Sequence, residues 1–319
     1  KTRKIHSLIF APSIEAVRKI NTELARRGNV NSDGRPIFGF TAKELLKIAL
    51  SASPDAMLIP AHAWTPWFSI FGSKSGFDTI EECFGDMTPH IFAIETGLSS
   101  DPQMNRRVSM LDNITLISNS DAHSPAKLGR EATIFEAEMD YLEITGAIKK
   151  QGPGRLVSTI EFFPEEGKYH SDGHRDCGVL FSPAQTREAG GKCPECGGKI
   201  TVGVLSRVED LSDRSEDCAA KDALPCKKLV PLQEIIAVTL GRGVNTKGVQ
   251  KEYMSMTDSA DEFQILLGKT EGELKDITSD EIASAILRVR DGHLEISPGF
   301  DGQFGTIGIS KVSAQRSLI

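Results

Sequence analysis

Asp121 and His123 stand two residues apart in NSDAHSP, directly after the short apolar run ITLIS. A carboxylate and an imidazole at that spacing can ligate a divalent cation; the plainer alternative is an Asp that caps a turn next to an unrelated His. Other apolar runs carry the same residue types. His62 follows AMLIP, Glu95 closes HIFAIE, and His6 lies within the first run, KIHSLIF. Imidazoles combined with carboxylates suit zinc or manganese. In parallel α/β folds, residues at the C-terminal ends of strands share one rim. His62, Glu95 and the Asp121/His123 pair, at the ends of three such runs, are therefore a candidate metal site. For His62 the plainer alternative is a buried, hydrogen-bonded residue beside Trp64 and Trp67.

A second constellation lies further on. Cys193-Pro-Glu-Cys196-Gly-Gly is a knuckle that aims two thiolates at one ion. His174 and Cys177 repeat the knuckle's spacing upstream, which gives a Cys₃His zinc ribbon. His170 and Asp172 are rivals for the fourth ligand. A redox role fits less well, because the Cys pair sits between glycines instead of opening a helix after a strand. Four protein ligands leave no open position, so the site is structural. Cys218 and Cys226 are expected to be ordinary thiols, and Cys83 a core residue.

These residues need elements to hold them. In the first half of the chain, strand-like runs (4–10, 56–60, 91–95, 114–118, 132–135) alternate with helical patterns. Ile14, Val17, Ile20 and Leu24 share one helical face that Gly28 ends. Further helices are expected over 41–50 and 138–149, with helical turns near 79–84. Short apolar strands separated by helices predict a mostly parallel α/β sheet, open or closed into a barrel. Gly152-Pro153-Gly154 suggests division into a barrel (1–155), a ribbon (156–208) and a C-terminal domain (209–319). In the last of these, a helix over 232–240 runs into GRGVNTKGV. That loop lacks the ending of a Walker motif; spacing alone favours a plain flexible turn, and the alternative is that its amides, Arg242 and Lys247 contact a phosphate backbone. Another helix begins at Ser279 or Asp280 and ends at Gly292, and PGFDGQFGTIGI reads as a turn and a final strand.

A net charge of -7 argues against bulk attraction to nucleic acid and leaves room for a local basic groove. Six cysteines in 319 residues do not suggest a disulfide framework, so a reducing, cytoplasmic compartment is expected. No apolar run reaches membrane-spanning length, and no membrane partner is expected.

The segments KIHSLIF, PAHAWTPW, FGSKSGF, IETGLSSDP and SNSDAHSP together resemble the PHP (polymerase and histidinol phosphatase) metallohydrolases, nearest to endonuclease Q and its bacterial relatives. The ribbon and the segments VPLQEIIA, GRGVNTKGV and PGFDGQFG extend the likeness over nearly the whole chain. The resemblance implies an α/β fold with a PHP-type distorted (β/α)7 barrel, a zinc ribbon and a small α+β C-terminal domain that binds DNA. It implies two or three divalent metals on the barrel rim (zinc, manganese or magnesium), in addition to the structural zinc. The implied reaction is phosphodiester hydrolysis: nicking of DNA 5′ of deaminated bases, such as uracil and hypoxanthine, and of abasic sites. By position, His6, His62, Asp121 and His123 match metal ligands, and Glu95 matches an acid kept close to the site. The family's opening His-x-His and a metal-bridging Glu are not in this sequence. The first strands are expected upstream of Lys1, in a longer protein. Candidate DNA contacts are Trp64, Trp67 and Phe68, one of which would stack on a base or fill a gap in the duplex, the alternative being that at least two of them are simply packed; Lys74, Arg130, Arg242 and Lys247 are candidates for phosphates. A small-molecule phosphoesterase of the same fold and a noncatalytic zinc-bearing binding module are the alternatives. No compact sliding-clamp motif stands out, and a clamp stays open as a partner.

Overall fold

The structure, a computed structural model, describes residues 3–32, 36–216 and 224–309; Cys218 lies outside them. β1 (Ser7–Phe10) leads into α1 (Ile14–Ala25), where the Ser13 hydroxyl accepts from the Ala16 amide and Ala16, Ile20 and Leu24 are buried. α2 (Ala42–Ala52) opens on a reciprocal capping box between Thr41 and Glu44. Fully buried β2 (Met57–Pro60) follows, then α3 (Ile80–Phe84), β3 (Ala93–Glu95), α4 (Pro102–Arg106), β4 (Thr115–Ile117), β5 (Ala132–Glu136) and α5 (Tyr141–Ile148). Leu46, Leu58, Trp64, Phe71, Phe84, Ile94 and Leu116 form the main core of this part.

The pairing corrects the expected predominance of parallel strands. β3 and β4 are parallel, but β1 pairs antiparallel with β2, Ser7 opposite Pro60. Two helices separate β1 from β2, so the chain reverses three times and returns antiparallel; one helix would give the two reversals of a parallel unit. Hydrophobic runs mark strands without fixing their direction.

β6 (Arg155–Glu161) pairs antiparallel with β5, so the ladder runs across the boundary drawn at 155. The ribbon region holds the hairpin β7 (Asp172–His174) and β8 (Val179–Phe181), then α6 (Pro183–Glu188) and α7 (Val204–Leu211). α7 crosses the second boundary, and its Val204 and Val208 are buried in the main core. β9 (Cys226–Lys228) joins β6 in parallel. α8 (Leu232–Leu240), α9 (Lys247–Thr257), α10 (Glu271–Lys275) and α11 (Asp280–Arg290) follow, and β10 (Leu294–Ser297) pairs with β11 (Thr306–Ile309). These helices pack their own core around Leu232, Ile236, Met256, Ile286 and Val289, with Ile160 and Phe163 set into it. Since α9 begins at Lys247, the last three residues of GRGVNTKGV are helix and not loop.

Candidate metal centres and substrate cavity

His6 precedes β1, and His62 follows β2. Antiparallel pairing therefore puts both at one end of the ladder, where the Ala61 amide donates to the His6 carbonyl at 3.0 Å. His6 Nδ1 lies 2.9 Å from His62 Nε2. On its other side, His62 Nδ1 lies 2.9 Å from Thr65 Oγ1. Glu95 closes the arrangement from β3: its Oε2 accepts from the His62 amide at 2.7 Å, and its Oε1 accepts from Asn119 Nδ2 at 2.9 Å. The Glu95 side chain is buried, which pushes its carboxyl above the ordinary range; the Asn119 and His62 donors pull it back, and the charge of Asp121 adds to the rise.

Local backbone geometry is unusual at this end. His62, Phe68 and Asp121 adopt positive φ (31°, 61° and 43°), a conformation costly for residues with a Cβ and common at functional sites. Gly97, at φ 61°, lets the chain pass against His62: a Cβ there would stand 2.6 Å from His62 Cβ. Asp121 and His123 sit on the exposed loop after β4. His123 Nδ1 lies 2.7 Å from the Asp121 carbonyl. A carbonyl only accepts, so Nδ1 carries the proton and Nε2 is the nitrogen left to ligate.

His6, His62 and Asp121 line one cavity of about 1300 Å³, together with Trp67, Phe68 and the segment from Gly167 to His170. Two imidazole nitrogens on one tetrahedral cation would be about 3.4 Å apart, so His6 and His62 fit a shared ion after a small separation. Among the described residues they gather no third donor within ligating distance; the group of that kind is in the ribbon.

Trp64 is not a DNA contact. It is fully buried, its Nε1 donates to Asn105 Oδ1 at 2.7 Å, and its ring packs on Phe71. Trp67 and Phe68 are 43% and 42% exposed, and Trp67 meets the ring of Tyr169 edge-on at 5.1 Å. Lys74 is half-buried. Arg130 Nε donates to the Ser120 carbonyl at 2.9 Å, bracing the backbone just before Asp121. Arg242 and Lys247 are exposed.

In the ribbon, the ligand atoms of His174, Cys177, Cys193 and Cys196 all lie within 4.8 Å of one another. His174 Nδ1 and Cys196 Sγ are 3.8 Å apart, close to the edge of about 3.6 Å that a tetrahedral zinc site has between N and S. The knuckle is shaped by its backbone: the Gly197 amide donates to the Cys193 carbonyl and the Cys193 amide to the Gly198 carbonyl. The donor set fits one structural zinc. Asp172 is excluded as a ligand, since its oxygens accept from the Gly203 amide and Ser206 Oγ at 2.7 and 2.5 Å. His170 lines the cavity beside His6 and His62 instead.

Behind Glu95 lie two carboxyls that carried no motif. Glu161 is fully buried and accepts from Thr96 Oγ1 and Ser118 Oγ at 2.9 and 3.1 Å; burial pushes it up to about 7. Glu131 is pushed up to about 9 by burial and then by the charge of Glu161.

Residues 231–293 match the family model of the MJ0043 C-terminal domain. The chain is 35% identical over 257 residues to the uncharacterized protein MJ0043 of Methanocaldococcus jannaschii, covering 77% of this chain and 31% of that protein. To the uncharacterized protein YqxK of Bacillus subtilis it is 30% identical over 95% of this chain and 73% of that one. Two solved structures superpose with a TM-score of 0.86 at 32% identity. One is the lesion-specific endonuclease PfuEndoQ from Pyrococcus furiosus, over 99% of this chain and 79% of that chain. The other is Endonuclease Q in complex with a 27-mer duplex substrate with an abasic lesion at the active site, over 97% and 77%. Identity at this level, the shared architecture and the matched C-terminal domain place the chain in the endonuclease Q family of PHP-domain proteins.

Proposed function

We propose that this protein is a metal-dependent endonuclease that nicks duplex DNA 5′ of deaminated bases and abasic sites. The observation that carries this reading is the superposition of nearly the whole chain on an endonuclease Q bound to a lesion-bearing duplex. The cavity that gathers His6, His62 and Asp121 supports it. Two or three divalent cations (zinc, manganese or magnesium) held by His6, His62, Asp121 and His123 would supply an activated water and neutralise charge on the phosphate.

The chain's own groups have distinct tasks. Glu95 holds the His62 backbone in its positive-φ turn, and the Asp121 carbonyl sets the His123 tautomer. Trp67 and Phe68 offer exposed rings for a base or for the gap an extruded nucleotide leaves. Arg130, by the nitrogens it does not spend on Ser120, and Lys74, whose amide donates to the Pro66 carbonyl, are the phosphate partners. Away from the cavity, α9 has no side-chain N-cap bond. Its first-turn amides, with exposed Lys247 and Arg242, form a phosphate-binding edge.

The test uses the purified protein, manganese, and duplexes with one uracil, one abasic site or no lesion. Nicking is expected only at the lesions. Asp121→Asn should abolish it while the ribbon keeps its zinc. Equal cutting of all duplexes, or full activity of Asp121→Asn, would overturn the assignment.

A further inference from the structure

The substrate cavity has two walls of different origin. His6, His62, Trp67, Phe68 and Asp121 come from the barrel, and the strap 167–170 comes from the chain entering the ribbon. The strap bears an aromatic ring and an imidazole. Tyr169 leans on Trp67. His170 is 8% exposed, and its Nδ1 is buried with no hydrogen-bond partner among the described residues. The ring's place depends on the backbone that carries it.

That backbone is tied to both halves of the ribbon. On the outgoing side the strap continues straight into β7, which ends at His174. The returning side supplies the ties: the Val204 amide donates to the Tyr169 carbonyl at 2.7 Å, the Leu205 amide to the His170 carbonyl at 3.0 Å, and Gly173 and Thr201 exchange bonds of 3.1 and 2.8 Å. Asp172 holds the Gly203 amide as well. The fit is close, for a Cβ at Gly203 would stand 2.6 Å from the His170 carbonyl oxygen. The returning segment comes from Cys193 and Cys196. Joining these to His174 and Cys177 closes the loop that brings 201–205 back against 169–173, and closure by a metal removes the entropic cost of that return.

We propose that the ribbon metal positions one wall of the substrate cavity, so that His174, Cys177, Cys193 and Cys196 act as positioning residues and Tyr169 and His170 contact the bound DNA strand. A neutral imidazole donates once and accepts once, and a phenol does the same. This wall therefore suits polar edges of a nucleotide more than a bare phosphate charge. The inference rests on the reading of the cavity as the DNA site.

Trp67 offers a readout independent of cutting, because Trp64 is fully buried and acrylamide quenching reports on Trp67. His174→Ala should lose the ribbon zinc, increase that quenching, and raise KM for a uracil duplex about tenfold with kcat little changed. His174→Cys should keep the zinc and behave as the parent protein. His170→Ala and Tyr169→Ala should raise KM with the zinc retained, and they test the wall even where His174→Ala fails to fold. Zinc loss with unchanged quenching and KM, or unchanged DNA affinity in both wall variants, would overturn the proposal. Increased quenching on zinc loss in a protein that never cuts lesion-bearing DNA would uphold the coupling and sink the endonuclease reading.

Discussion

At the scale of single residues, the His62 turn depends on a missing side chain. Gly97→Ala would force a methyl against His62 and a β-carbon into a positive-φ backbone. A loss of about 1–3 kcal/mol in denaturant unfolding is expected, with His62 displaced and nicking lost. The residue types at the barrel rim were legible because His62, Glu95, Asp121 and His123 each follow a clear apolar run. Others were not. Asn119 and Thr65 hold the site through single hydrogen bonds, which have no signature in spacing. PAHAWTPW shows two tryptophans, but only the fold shows that Trp64 is core and Trp67 faces the cavity. The choice among His170, Asp172 and His174 likewise depends on tertiary partners: the Gly203 amide and Ser206 occupy Asp172, and His170 lines the cavity.

Elements were easier to locate than to orient. Helix starts such as Ser13, Thr41 and Ser279 carry their own chemistry, and each hydroxyl accepts from an amide three residues on. Strand direction has no such local code, which is why the antiparallel β1–β2 pair, and with it the arrival of His6 beside His62, departs from the expected parallel sheet. Gly152-Pro153-Gly154 resembles a linker but is the turn from α5 into β6, which rejoins β5. In the C-terminal domain, the uncapped start of α9 gives a prediction of its own. Lys247→Ala and Arg242→Ala should weaken binding to all duplexes alike and each reduce the slope of log affinity against log salt by about 1. Titration by fluorescence anisotropy at several salt concentrations measures this, and a change confined to lesion-bearing duplexes would argue against a phosphate contact.

Across the whole molecule, the buried carboxyls make stability depend on pH. Glu161 and Glu131 keep their protons to about 7 and about 9 when folded, whereas the unfolded chain releases them near the ordinary 4.5. The folded state thus binds more protons through this window, and its stability should fall as pH rises from about 4.5 to 9. Each tenfold gain in proton affinity on folding is worth about 1.4 kcal/mol when fully developed, so the slope should be visible in denaturant midpoints. Glu131→Gln should flatten its upper part. A midpoint that rises steadily over that window would contradict the burial of these groups. No helix among the described residues is long and apolar enough to cross a membrane.

β6 also sets an order in time. One edge is covered by β5, which is made just before it; the other waits for β9, which is made only after the ribbon. As the chain leaves the ribosome, β6 therefore carries an open edge until the ribbon has closed and β9 has been delivered. Cells starved of zinc should accumulate this protein as aggregate joined along that edge, and its soluble yield should follow the zinc supply.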